Sequence, residues 1–326
     1  MKIRLLTLTF AALVATLLGG TALAQGVGKF PEKPIKFIVP FPPGGGNDTL
    51  SRAVGQKLSE QLKTPVVIEN KAGANGIIAT EFVAKADGDG YTLMMANVGS
   101  HGINPSLYKK VGYDPLRDFT PLSQVGSSPN VLVVHPSLKV RSLAELVAYG
   151  KANPGKLTYG SNGTGSSQHM AGALFASAFG IEMTHIPYRG TGPMTTDLLA
   201  GQTVMSFGNI IGVGPYIKTG QLVALAVTTQ KRSTLLPELP AVAETVPGFD
   251  ATVWWGIVAP KGTPPAIADL LSREVRKALD SPEIRTQLAN AGAEPRGSTP
   301  AEFRTFIQTE VTKWAKVVKD TGATAE

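Results

Sequence analysis

The sequence predicts an α/β protein of two lobes, each built on a mostly parallel sheet flanked by helices. Three observations carry that expectation. Short runs rich in Val, Ile and Phe alternate along the chain with stretches of helical period, the pattern of strands covered on both faces by helices. The chain has 326 residues, which suits two domains at about 100–200 residues each. No Pro- or Ser-rich linker divides it, so the chain is expected to pass between lobes more than once through ordered segments, at residues 125–136 and 248–260.

The elements follow in order. Residues 36–40 read as a buried strand that ends in a Gly-rich loop. Leu50, Val54, Leu58 and Leu62 fall four apart and make residues 50–62 an amphipathic helix. Strands are expected at 65–68, 91–96 and 131–134, with helices at 76–84 and 104–108. Ser142 caps a helix over 142–151, with Glu145 at capping-box spacing. A strand at 157–160 leads to a helix over 168–179, closed by Gly180 as its left-handed stop. Then come a strand at 184–187, a helix at 193–200 stopped by Gly201, and strands at 204–207, 223–228 and 254–259. Helices over 264–279 and 300–319 finish the chain, the last with Phe303, Phe306, Val311, Trp314 and Val318 on its core face. The boundaries expected are 1–24 for an export signal, 25–128 with 253–326 for the first lobe, and 129–252 for the second.

The signal rests on its own pattern. Lys2 and Arg4 precede an apolar run over 5–18, and Ala22-Leu23-Ala24 is a small-x-small cleavage site. The run is shorter than the ~20 residues a membrane span needs, so the expectation is cleavage after Ala24 and a periplasmic protein. Cys 0 excludes disulfides, thiolate metal sites, iron–sulfur clusters and cysteine nucleophiles. The formal charge of +7 is spread out, with no basic run interleaved with aromatics, so nucleic acid is not an expected partner. Gly 36 and Pro 24 point instead to many special turns.

Three of those turns share one design. Residues 40–48 (PFPPGGGND), 161–167 (SNGTGSS) and 188–193 (YRGTGP) each join a strand to a helix. Each is expected to present unpaired amides at the positive end of a helix dipole, beyond the carboxyl end of a strand. Such a place seats an anion without a basic side chain. Neither the P-loop nor the dinucleotide fingerprint fits their spacing, and no cofactor is expected.

Catalytic signals are weak. Val98-Gly99-Ser100-His101-Gly102 approaches a nucleophile elbow but has Val98 where the motif needs Gly. His101, His135, His169 and His185 stand apart, with no metal-ligand spacing; His169 and His185 read as packing or loop-orienting groups. Trp254, Trp255 and Phe41 either shape an apolar part of a cleft or belong to the core.

Read together, VPFPPGGGNDTLSR, ENKAGANG, DGDGYTLMMAN, HGINPSLY, YGSNGTGSSQHMAGALF and HIPYRGTGPMTTDLLAGQ resemble the Bug family, the extracytoplasmic receptors of tripartite tricarboxylate transporters. The resemblance runs from about Phe30 to the C-terminus. It implies a periplasmic binding protein of type II-like fold, a monomer that holds a small carboxylate ligand between its lobes and delivers it to membrane permease subunits. It implies no catalysis. The ligand residues carried over are Phe41, Pro43, Gly44, Gly45 and Asp48 on the first lobe, and Thr164, Gly165, Ser166 and Ser167 on the second. Asn97, Ser100 and His101 match the loop after the third strand and are expected to line the pocket; Gly190 and Thr191 match another second-lobe loop. Two positions depart from the family pattern. Ala173 stands where relatives commonly carry Glu, and Gly208, beside Asn209, where they commonly carry Asp. Asn209 is counted with the site. The competing readings are an exported hydrolase using Ser100 or Ser166 with a histidine, and a receptor that feeds a periplasmic sensor kinase.

Overall fold

The structure, a computed structural model, describes residues 29–325; the expected signal at 1–24 lies outside them. The chain opens with β1 (Ile35–Val39), α1 (Gly46–Leu62), β2 (Val66–Asn70), α2 (Ile77–Ala84), β3 (Thr92–Asn97), α3 (Asn104–Leu107) and β4 (Phe119–Ser128). It continues through β5 (Asn130–Val134), α4 (Leu143–Ala152), β6 (Leu157–Ser161), α5 (Ser167–Phe179), β7 (Met183–Pro187), α6 (Thr191–Leu199), β8 (Met205–Asn209), α7 (Ile210–Lys218) and β9 (Val223–Val227). It closes with β10 (Val253–Pro260), α8 (Pro265–Asp280), α9 (Pro282–Asn290), β11 (Glu294–Pro295) and α10 (Pro300–Thr321).

Two sheets result, in the order β11-β4-β10-β3-β1-β2 and β7-β6-β8-β5-β9. In the first, β1, β2, β3 and β4 point one way, while β10 runs against both β3 and β4. In the second, β6, β7, β8 and β9 share a direction and β5 runs against β8 and β9. β11 also runs against β4; the other two reversed strands, β5 and β10, are the ones that follow a passage between sheets. The chain leaves the first sheet at the end of β4, turns at Pro129, and enters the second as β5. It returns through residues 228–252 to β10. From Pro31 to the last described residue the chain packs as one unit that contains both sheets.

β10 is buried at every position, and the strand periodicity of two sends its neighbouring tryptophans to opposite faces. Trp254 faces α10, where its Nε1 donates to buried Glu310 at 2.8 Å; Trp314 Nε1 donates to the same carboxylate at 3.0 Å. A Cβ on Gly256 would stand 2.1 Å from Phe303 Cζ, so only glycine lets α10 lie this close to the strand.

Helix ends obey local chemistry. Ser166 caps α5 by accepting from His169 N, Gly180 closes it in the left-handed region, and Thr299 with Glu302 forms a full capping box on α10. Ser142 caps α4, but the Glu145 carboxylate accepts from Arg141 N rather than completing the box on Ser142. Among the elements outside the sequence expectations are β4, α7, α9, β11 and a π-helical turn at Gly99–Ile103.

Candidate functional site

The three Gly-rich loops all lie where expected, after β1, β6 and β7 and before α1, α5 and α6. They differ in what their amides meet. In the first loop, buried Asp48 reaches back from α1 and its Oδ2 accepts from Gly44 N at 3.0 Å. Arg52 donates to the same carboxylate at 3.0 Å, and Asn70 Nδ2 donates to both Asp48 Oδ1 and the Phe41 carbonyl. Burial alone raises the Asp48 pKa; the hydrogen bonds from Arg52, Gly44 and Asn70 outweigh it and hold the carboxyl below its ordinary value. Gly44 stands at φ +86°, a conformation that glycine takes without strain. Beyond this brace, Gly45 is the N-cap of α1 and has no side-chain cap. Among the described residues no acceptor meets the amides of Gly45, Gly46 or Asn47. Phe41 is half-buried and Pro43 exposed.

The second loop is mostly satisfied from within. Gly163 N donates to Ser161 Oγ, Ser166 N to the Gly163 carbonyl, and Gly165 N to His169 Nδ1 at 3.1 Å. An accepting Nδ1 places the His169 proton on Nε2. His169 stacks on His185 at 4.0 Å, and His185 Nε2 meets Ser161 Oγ at 2.7 Å. Burial depresses His169 to about 4, and burial with the neighbouring His169 depresses His185 to about 3. Both histidines orient the loop, as the sequence indicated. Ser166 is occupied as the α5 cap. The amides of Ser167 and Gln168 have no recorded acceptor among the described residues.

The loop after β3 corrects one expectation. Ser100 and His101 are fully buried and do not line an open pocket. Ser100 Oγ accepts from Asn97 N at 3.2 Å, Ser100 N donates to Asn97 Oδ1 at 3.1 Å, and Oγ lies 2.9 Å from His101 Nδ1, while the His101 ring packs 4.7 Å from Phe119. Burial lowers His101 to about 3. The packing of α10, through Trp314 against Gly102, closes this turn from the other side. Asn97 does face the first loop, and its Nδ2 donates to Asn47 Oδ1 at 3.0 Å.

The loops join in a ring of contacts. A Cβ on Gly46 would stand 3.2 Å from Ile211 of α7 and 3.3 Å from Trp255. A Cβ on Gly212 of α7 would stand 2.7 Å from Thr191 at the start of α6, whose N-cap Gly190 has no side-chain cap. A Cβ on Gly163 would stand 3.6 Å from the Tyr188 carbonyl of the third loop. A Cβ on Gly165 would stand 2.8 Å from Asn75, 3.0 Å from Leu107 and 3.2 Å from Asn104, and Tyr108 donates to the Thr164 carbonyl at 3.2 Å. Asn75 Nδ2 donates to Asn104 Oδ1, and a Cβ on Gly99 would lie 3.2 Å from Asn75 and 3.1 Å from Asn97. Asn97 closes the ring on Asn47. The three loops therefore face one another across the two sheets.

The expectation of unpaired amides needs correction at Gly44 and Gly165. Those two amides are held by Asp48 and His169, and the free ones are their neighbours. Residues not singled out as ligand residues from the sequence also enter the site. Asn75 sits at φ +49° after Ala74 at φ +45°, both left-handed. Gln168 and Trp255 are buried, and Gln168 Oε1 and Trp255 Nε1 have no partner among the described residues. At Gly208 a Cβ would stand 2.3 Å from Val213, so the packing of α7 there suits glycine.

On the Trp254 side of β10 lies a separate cavity of about 420 Å³, bordered by Ser128, Thr229, Asp250, Glu294, Arg296 and Phe306. Around it Arg296 pairs with Glu294, Arg232 with Glu244 and Asp250 with Lys313, and it carries none of the three loops. Among the described residues no group of His, Asp and Glu could hold a metal ion, and no helix is long and apolar enough to cross a membrane.

Two mixed sheets joined by paired passages, with helix N-termini turned toward one another across the join, define a solute-binding receptor. Residues 50–323 match the profile of the tripartite tricarboxylate transporter family receptor, TctC. The chain belongs to that family. It is 40% identical over 306 residues to protein BugT of Bordetella pertussis, covering 93% of this chain and 94% of BugT. The structure of Rpa4515 of R. palustris with adipate superposes with TM-score 0.85 at 38% identity, covering 90% of this chain and 99% of that one. The periplasmic binding protein BugD gives 0.82 at 33%, covering 90% and 99%. MatC of Rhodopseudomonas palustris, with bound malate, gives 0.81 at 31%, covering 89% and 100%.

Proposed function

We propose that this receptor captures a small carboxylate between two lobes, 25–128 with 253–326 and 129–252, and delivers it to the permease subunits of a tripartite transporter. The observation that carries the reading is the group of free amides at Gly45, Gly46 and Asn47, set at the positive end of a 17-residue helix and facing α7 of the other sheet. One carboxylate docks there, and its charge is met by peptide dipoles. The adipate in Rpa4515 and the malate in MatC support an acid as the ligand.

The lobes close because the ligand bridges them. Unliganded protein samples an open state, and ligand that contacts both lobes favours the closed one. The working site comprises Phe41, Gly45 and Asn97 with the starts of α5, α6 and α7, including Ser167, Thr191 and Asn209. Asp48, Ser166 and His169 shape it without touching the ligand. The protein is exported, cleaved after Ala24, and acts as a periplasmic monomer without a catalytic step. Complete burial of Ser100 and His101 supports the last point.

A thermal-shift screen of mono-, di- and tricarboxylates against the protein lacking residues 1–24 tests the reading. A ligand raises the midpoint by mass action, steadily with concentration. If no carboxylate shifts the midpoint at millimolar concentration, the reading is wrong.

A further inference from the structure

The chain passes between the sheets twice, and both passages meet at one residue. Asn130 opens β5 directly after the first passage and is fully buried. Its backbone pairs with Thr228, where the return passage begins. Asn130 N donates to Thr228 Oγ1 at 3.1 Å, and Thr228 N donates to the Asn130 carbonyl at 3.0 Å. Its side chain reaches the far end of that passage, where Nδ2 donates to the Ala251 carbonyl at 3.2 Å. Thr228 Oγ1 donates to the same carbonyl at 3.1 Å.

The bond to Ala251 decides which end of the Asn130 amide points away. Asn130 Oδ1 accepts from Asn209 Nδ2 at 2.8 Å, across the ladder of β5 and β8. Asn209 Oδ1 accepts from Gln168 Nε2 at 3.0 Å, and Gln168 is fully buried in the first turn of α5. A primary amide has one donor and one acceptor end, so the three run in a single direction from the passages to α5. Asn209 is also the N-cap of α7, a position at which asparagine is among the preferred caps. It makes no side-chain cap there. Both ends of its amide go to Asn130 and Gln168 instead. The relay thus ties two helix starts to the passages. One is α5, where the Ser167 and Gln168 amides have no acceptor among the described residues. The other is α7, where Ile211 lies against Gly46.

We propose that Asn130 is a positioning residue for ligand capture: with Asn209 and Gln168 it sets the starts of α5 and α7 in step with the passages about which the lobes turn. The role in capture rests on the function proposed above; the relay does not. Linked buried amides hold and polarise one another, so the loss of any member loosens the rest. Cutting the relay at either end therefore has one consequence.

Two measurements test it. In ligand-free protein, Gln168→Met removes the α5 end and touches no bond of the passages. Amide NMR is expected to show the Asn130 Nδ2 proton signals displaced by that substitution, and undisturbed by it when Asn209→Leu is already present. Unmoved Asn130 signals, or a displacement that persists beside Asn209→Leu, overturn the relay. Calorimetry with succinate, glutarate, adipate and citrate then reads affinity. Asn130→Ala and Gln168→Met are each expected to weaken the tightest of these acids about fivefold or more, and the double variant no further than the worse single one. Losses that multiply overturn the relay. Thr228→Val removes bonds of the passages but no member of the relay. It is expected to lower the urea midpoint with affinity kept within twofold. An affinity loss there as large as in Gln168→Met assigns the effect to packing and overturns the proposal. That comparison decides alone if Asn130→Ala does not fold. Binding by none of the four acids overturns the carboxylate reading and the role in capture with it, while the NMR result still decides the relay.

Discussion

The first and second Gly-rich loops look alike in sequence and behave differently in the fold. Each follows a strand, opens a helix and carries glycine at positive φ, Gly44 in the first and Gly163 with Gly165 in the second. In the first, one carboxylate from the following helix takes the Gly44 amide and leaves the next three free. In the second, a neutral histidine takes Gly165, a serine caps the helix, and the loop's outer face lies against Asn75 and Asn104. On the proposed function the first loop is the anion seat, while the second is packed as a joint between the sheets. Which side chain claims which amide decides the role, and the glycine pattern alone does not report it.

The largest expected effect comes from breaking the seat. Asp48→Ala removes the brace on Gly44 and the partner of Asn70. It should weaken carboxylate binding by about thirtyfold and lower stability by about 2 kcal/mol, since a buried carboxylate with charge-assisted bonds is lost. Calorimetry and urea denaturation check both. Ligand affinity within threefold of the unaltered protein would show that the loop keeps its shape without Asp48.

Gly165→Ala tests the joint. The residue stands at φ +81°, where a side chain costs about 1–2 kcal/mol, and its Cβ would press on Asn75. Affinity should fall about tenfold through impaired approach of the sheets. The Gly165 amide does not serve the ligand on this account, so the loss should be similar for acids of different length. A loss confined to one ligand would make Gly165 part of the seat instead.

The two loops should also differ in their response to pH. His169 titrates near 6.5 unfolded and near 4 folded. The unfolded chain therefore binds the proton first, and the stability linked to this histidine is complete above about pH 6.5 and lost as pH falls toward 4. Asp48 lies below its ordinary 3.8 when folded, so its contribution holds above that value and is lost as pH falls through the lower one. Urea midpoints should decline in two stages. Replacing His169 and His185 by Gln should shrink the upper stage without removing it, because buried His101, lowered to about 3, titrates over the same window. A decline between pH 6.5 and 4 that is unchanged in that variant would contradict the assignment.

The smallest effect is expected from Tyr108→Phe, which deletes one half-buried hydrogen bond to the Thr164 carbonyl. About 1 kcal/mol of stability is at stake, with affinity reduced severalfold. A change beyond tenfold would mean that Tyr108 reaches the ligand.

The alternating elements and the positions of all three loops were legible in the sequence because periodicity, glycine and proline are local signals. β4 was less so, since Pro121, Ser123, Gln124 and Gly126 interrupt its apolar pattern; it is a strand because β10 and β11 pair with it on either side. α7 carries Gly212, Gly214 and Pro215, poor helix formers held by packing of Val213 and its neighbours under the second sheet. The site was half legible. Gly45 and Asn97 stood out by motif. Asn75, Asn104 and Gln168 lie inside quoted motifs and Trp255 was read as either cleft or core, but none was singled out as a site residue, because their roles come from partners far away in the chain. Ser100 and His101 were misplaced because a motif position says nothing of the helix, here α10, that covers it.

The claim that peptide dipoles seat the acid is tested most directly by amide NMR during titration with the tightest-binding acid of the thermal-shift screen. The Gly45, Gly46 and Asn47 amide protons should move downfield together to saturation, while Gly44 and Gly165, already bonded to Asp48 and His169, shift least among the loop amides. Large shifts at Gly44 and Gly165, with Gly45, Gly46 and Asn47 unmoved, would contradict it.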